Sequence, residues 1–100
     1  MYAQVIQGGT TPDARERMNQ IVTDELLPAL DAEPGYAGAV NLADPETGNG
    51  MMLVFWESEA QARRPLGEYG AAFLKALAGI AAITTGNRQP LTVWQVNART

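Results

Sequence analysis

The chain has 100 residues, 46% of them hydrophobic and 18% charged, with a net charge of −4 at pH 7. This suits one globular domain over 1–100, and the negative balance with scattered basic residues argues against nucleic-acid binding. Cys and His are both absent, which removes disulfides, thiolate nucleophiles, His-based triads and the usual zinc and haem ligands, so neither a metal site nor a cofactor is expected.

"YAQVIQ", residues 2–7, alternates, with Ala3 and Val5 on one face and Tyr2, Gln4 and Ile6 on the other. This predicts a strand ended by Gly8–Gly9. Thr10 and Thr11 offer helix caps, Pro12 suits a first turn, and Asp13 follows Thr10 at capping-box spacing. In the helix that follows, Met18, Ile21, Val22, Leu26 and Ala29 or Leu30 form one apolar stripe. Pro28 should kink its last turn or end it near Leu27.

"EPG", 33–35, reads as a stop, and "YAGAVNLA", 36–43, as a second strand. "DPETGNG", 44–50, reads as a turn, with Asn49–Gly50 the hairpin signal. It lacks the spacing of a calcium loop. "MMLVFWE", 51–57, is apolar on both parities and predicts a third strand covered on both faces. Ser58 and Gln61 form a second capping box, opening a short helix that Pro65 and Gly67 interrupt. A stronger helix is expected over 68–83, with Phe73, Leu77 and Ile80 as its stripe. A loop over 84–90 and a final strand over 91–97 complete the chain.

The order β-α-β-β-α-β is the split βαβ pattern, which predicts an α+β, ferredoxin-like, four-stranded antiparallel sheet with helices on one face. The other face would be bare and apolar, and a second copy packed sheet to sheet would cover it. No segment reads as a signal peptide, and the apolar stretch around 71–83 falls short of the ~20 residues a membrane span needs, so no membrane partner and a cytoplasmic location are expected.

The runs "LLPAL" (26–30), "EPGYAGAVNL" (33–42) and "ETGNGMMLVFWESEAQA" (46–62) make the chain resemble the dimeric α+β barrel superfamily, close to the antibiotic biosynthesis monooxygenase (ABM)-like domains. The resemblance implies a homodimer through the sheet faces, with a small pocket between each sheet and its helices. It also implies several chemistries, from cofactor-free monooxygenation to haem degradation. The haem-degrading arrangement uses a His, and this chain has none.

The candidate substrate-binding residues are Trp56, Tyr69, Phe73, Gln4, Asn41, Tyr36 and Arg63. Read from the residues alone, Trp56 is first a packing residue at a sheet end; by the resemblance, it takes the place of a Trp that contacts an aromatic substrate. Gln4 and Asn41 are polar within apolar strands and need partners, from protein, solvent or ligand. Tyr69, Phe73 and Tyr36 read as pocket walls or as helix and turn anchors. Arg63, with Arg64, reads as a ligand carboxylate or phenolate clamp or as a solvated helix face. Two classes of function stay open. One is a cofactor-free monooxygenase of a phenolic or hydroquinone-like substrate, with no base evident. The other is a non-catalytic small-ligand or stress-related barrel, or a dimerisation module.

Overall fold

The computed structural model describes residues 1–84 and 91–98. Four strands, β1 (Tyr2–Gly9), β2 (Tyr36–Ala43), β3 (Asn49–Trp56) and β4 (Thr92–Gln95), form one sheet in the order β2-β3-β1-β4. Every neighbouring pair is antiparallel, so β1 and β2 run the same way on either side of β3. The helical segments are α1 (Arg15–Ile21), α2 (Leu27–Asp31), α3 (Glu59–Ala62) and α4 (Ala71–Ile83). This is the expected α+β, ferredoxin-like arrangement.

Strand register sorts the residues between two faces. Gln4 pairs with Val54, Ile6 with Met52 and Tyr2 with Trp56, and these side chains meet the helices. Their core partners are Ile21, Leu26 and Leu30 on one helical run and Phe73 and Ala76 on the other. Residues of the other parity, including Val5, Leu53 and Val40, lie on the opposite face. No helix of the described residues is long and apolar enough to cross a membrane.

Several local expectations change in the folded chain. β1 runs on through Gly8 and Gly9, which pair with Gly50 and Asn49. The first helical cap is Thr11, whose hydroxyl accepts from the Ala14 amide at 3.3 Å. Thr10 is instead held across the fold: its amide donates to Gly48 O and its hydroxyl to Ile83 O. Pro28 does not end the helix. A π-helical segment, Val22–Leu26, joins α1 to α2 and closes Leu27 N–H onto Val22 O, and Pro28 then sits in the first turn of α2. α4 starts at Ala71, later than expected, because Leu66–Glu68 form a separate 3-10 turn and Tyr69 is extended. The capping box at Ser58 and Gln61 forms in both directions. Most of the expected 84–90 loop lies outside the described residues.

The β2–β3 hairpin turns on Gly48, while Asn49 and Gly50 belong to β3. Gly48 has φ +79°, and a Cβ there would lie 2.4 Å from the Thr10 carbonyl oxygen. Both the dihedral and the space therefore require glycine.

Glu33 ties the β2 side of the fold to the start of α4. One of its carboxylate oxygens accepts from Gly70 N–H at 3.0 Å and the other from Arg64 Nη2 at 2.6 Å. The Gly70 amide first, and the Arg64 guanidinium second, hold this carboxyl below the usual carboxylate range.

Two predictions follow from these joints. Gly48→Ala should lower stability by about 2–3 kcal/mol, read as a drop in melting temperature by circular dichroism. Gly67→Ala, which meets nothing within 4 Å, is the control. Equal melting temperatures would count against the steric account. For Glu33 the folded-state pKa is depressed, so its contribution is present above the ordinary carboxylate range and is lost as pH falls through the lowered value. Glu33→Gln should cost a few degrees of melting temperature at neutral pH, and the gap should close in acid. A gap that does not change with pH would show that the clamp acts without its charge.

Candidate functional site

Trp56 ends β3 on the helix-facing side and is fully buried. Tyr36 meets it edge-on at 6.0 Å between centroids, and Tyr69 lies 5.8 Å away on a tilted plane. Phe73 continues the column at 4.4 Å from Tyr69. These contacts join the start of β2, the end of β3 and the start of α4, and tilted or edge-on packing is what ring quadrupoles favour. The Arg64 guanidinium lies 4.1 Å from the Tyr69 ring centroid while its Nη2 holds Glu33, so the clamp also fixes Tyr69. The Trp56 indole N–H is buried with no hydrogen-bond partner among the described residues.

Gln4 is the one buried polar side chain among the described residues, 3% exposed. Its Nε2 donates to Ala62 O at 2.8 Å and to Tyr69 Oη at 3.2 Å. The Ala62 carbonyl settles the orientation of the amide, because a flipped Gln4 would set two acceptors against each other. Both amide hydrogens are thereby used, and the amide's remaining capacity is that of an acceptor.

Between the sheet and the helices lies a cavity of about 300 Å³. Its walls are mainly apolar, among them Ile6, Leu30, Met52, Val54, Phe73 and Leu77. Gln4 is polar at one end and Thr10 and Arg15 lie towards the other; Asn41, level with Ile6 in the register, Gln7 and Asn19 also line it, and all three are exposed. No Asp, Glu or Tyr of the described residues lines it.

Of the residues singled out from sequence, Gln4, Asn41 and Phe73 line this cavity. Trp56, Tyr69 and Tyr36 pack behind its Gln4 and Phe73 end, with Tyr69 linked to it through the Gln4 amide. The Tyr36 phenol is pushed above its usual range by burial and, secondarily, by Asp31. Arg63 is exposed, pairs with Glu59 at 3.5 Å, and borders a separate depression on the β4 side of Gln4. It is thus apart from the main cavity, and Arg64 is the arginine that touches the aromatic column. Arg15 was not singled out. A signal existed, since Arg15, Met18 and Asn19 fall at i, i+3, i+4 and all line the cavity.

The arrangement can enclose a ring-sized apolar molecule, accept a hydrogen bond from it at Gln4, and restrict water at that end. No group of three or more His, Cys, Asp or Glu among the described residues could hold a metal ion.

No protein-family model matches the chain, and no curated protein matches it significantly. Solved structures do. Rv0793 from Mycobacterium tuberculosis superposes with a TM-score of 0.72 at 17% identity, covering 98% of this chain and 96% of that one. SnoaB, a cofactor-independent oxygenase from Streptomyces nogalater, gives a TM-score of 0.75 at 13% identity, with 98% and 95% covered. A structure described as an antibiotic biosynthesis monooxygenase gives 0.68 at 18% identity over the full length of both chains. At such identities the likeness establishes architecture, and over nearly all of its length this chain has the ferredoxin-like α+β fold of the ABM-like structures.

Proposed function

We propose that the protein is a cofactor-free monooxygenase of a phenolic or hydroquinone-like aromatic substrate, working as a homodimeric barrel in which 1–100 forms one domain. The observation that carries this reading is the apolar cavity of about 300 Å³ ending at the buried Gln4–Tyr69 pair. The architecture shared with SnoaB supports it.

In this reading the substrate supplies the electrons. A phenol's keto tautomer presents a ring CH₂; loss of a proton gives a carbanion stabilised as phenolate, which reduces O₂. Cleavage of the O–O bond leaves one oxygen on the ring carbon as a carbonyl and releases the other with both hydrogens as water. No external reductant is consumed. The chain's contribution is to desolvate the ring, hold its hydroxyl at Gln4 and keep the reactive carbon from bulk water. With no carboxylate of the described residues lining the cavity, the acidity of the substrate itself supports the deprotonation in this reading.

That same lack of a carboxylate favours a second reading, a non-catalytic carrier of an apolar ligand. Oxygen uptake with a panel of hydroquinones and anthrone-like phenols separates the two. The first reading expects uptake by the wild type and a loss of about tenfold or more in Gln4→Leu, with a loss in Trp56→Phe if the aromatic column orients the ring. No uptake above buffer with any compound, together with a ligand-induced rise in melting temperature, would leave the carrier reading standing.

The dimer rests on the open sheet face. Val40, Leu42 and Trp94 on it are 43%, 50% and 61% exposed, and Leu53 lies between Val40 and Val5 in the register. An apolar face that crosses four strands suits a second copy of itself. Native mass spectrometry should give twice the 10.7 kDa chain mass, and Trp94→Glu should shift the population to monomer. A monomeric wild type would remove the barrel.

A further inference from the structure

Arg64 and Arg63 are held in ion pairs with Glu33 and Glu59. Arg15, at the opposite end of the main cavity from Gln4, is in none among the described residues. Its Nη2 makes a single long hydrogen bond, 3.4 Å to the carbonyl of Pro45, and its Nε is buried with no partner. Asp44 acts on it through its charge without forming an ion pair: its Oδ1 accepts from the amides of Glu46 at 2.9 Å and Thr47 at 3.4 Å. Arg64 Nε is buried without a partner in the same way, so what sets Arg15 apart is its charge: its guanidinium lines the cavity with no ion pair among the described residues, and a ligand carboxylate reaching its Nη groups would supply the counter-charge. Its two Nη groups form a planar fork that matches the two oxygens of a carboxylate.

The two ends of the cavity therefore ask for different chemistry. Gln4, with both amide hydrogens given to Ala62 and Tyr69, can only accept. Arg15 can only donate. The lining follows β1 from Gln4 to Gly9, five residue steps or about 16 Å at ~3.3 Å each, with mainly apolar walls and Gln7 between the ends. We propose that Arg15 recognises a carboxylate on the ligand of this cavity, so that the preferred ligand class is an apolar aromatic body with a hydroxyl directed to Gln4 and a carboxylate directed to Arg15. This rests on the cavity being a ligand site, as in the function proposed above.

The test compares 6-hydroxy-2-naphthoate with 2-naphthol by titration calorimetry on the wild type, Arg15→Gln and Asp44→Asn proteins. Asp44→Asn keeps the turn's side-chain oxygen acceptor and removes the competing charge. The naphthoate should bind the wild type more tightly than the naphthol. Arg15→Gln should weaken the naphthoate about tenfold while moving the naphthol less than about twofold, and Asp44→Asn should tighten the naphthoate. Equal loss of both probes in Arg15→Gln, or no loss of either, overturns the assignment while the cavity remains a ligand site. Failure of both probes to bind the wild type overturns the cavity reading and the assignment with it.

Discussion

Gln4 places a carboxamide in the layer between sheet and helices, where every near neighbour on its own sheet face is apolar. Left unpaired, a buried amide would cost about 1–3 kcal/mol. Here it is bonded to the last residue of α3 and to the hydroxyl of Tyr69. The bond to Ala62 fixes where the short helix ends against β1. The bond to Tyr69 fixes the ring that stands between Trp56 and Phe73. One side chain thus sets the polar end of the cavity, the start of α4 and the orientation of the aromatic column. The Glu33–Arg64 pair secures the same ring from its outer side. Tyr69 is consequently held by a hydrogen bond, a cation and two rings, which is a great deal of restraint for a residue in extended backbone between a 3-10 turn and a helix.

Strands and helices were legible because their information is local and periodic. Alternation in "YAQVIQ" assigns strand faces without tertiary knowledge, and the Ser58–Gln61 box needs only four residues. Two of the errors involve partners distant in sequence. Thr10 lost its expected cap because its amide and hydroxyl are engaged by Gly48 and Ile83. Asn49–Gly50 lost the turn because Gly8 and Gly9 extend the sheet to meet them. Neither distinction is present in a window of a few residues.

The site was legible in part for the same reason. Gln4, Asn41 and Phe73 stand out as polar or aromatic residues at regular positions, and the fold brings them to one cavity. The choice between Arg63 and Arg64 could not be made from sequence, since both lie just past the end of α3 and only packing decides which meets Tyr69. Arg15 stayed hidden because an arginine at the start of a helix ordinarily reads as solvated. Its distinction is the hairpin turn of residues 44–48 that comes to lie across it.

The π segment at Val22–Leu26 sets the phase between the two halves of the first helical run. Met18, Val22, Leu26 and Leu30 recur every four residues, and in an unbroken α-helix each such step overshoots a full turn by about 40°. Three steps would swing Leu30 roughly 120° from Met18, towards solvent. A turn closed five residues back takes up part of that drift and returns Leu26 and Leu30 to the same wall of the cavity. The segment is therefore a phase corrector, an α-helix carrying one surplus residue. Excising a single residue between Val22 and Leu26 would restore regular hydrogen bonding and leave Leu26 and Leu30 seven and eleven residues after Met18, each within about 20° of its face, so the wall of the cavity would survive.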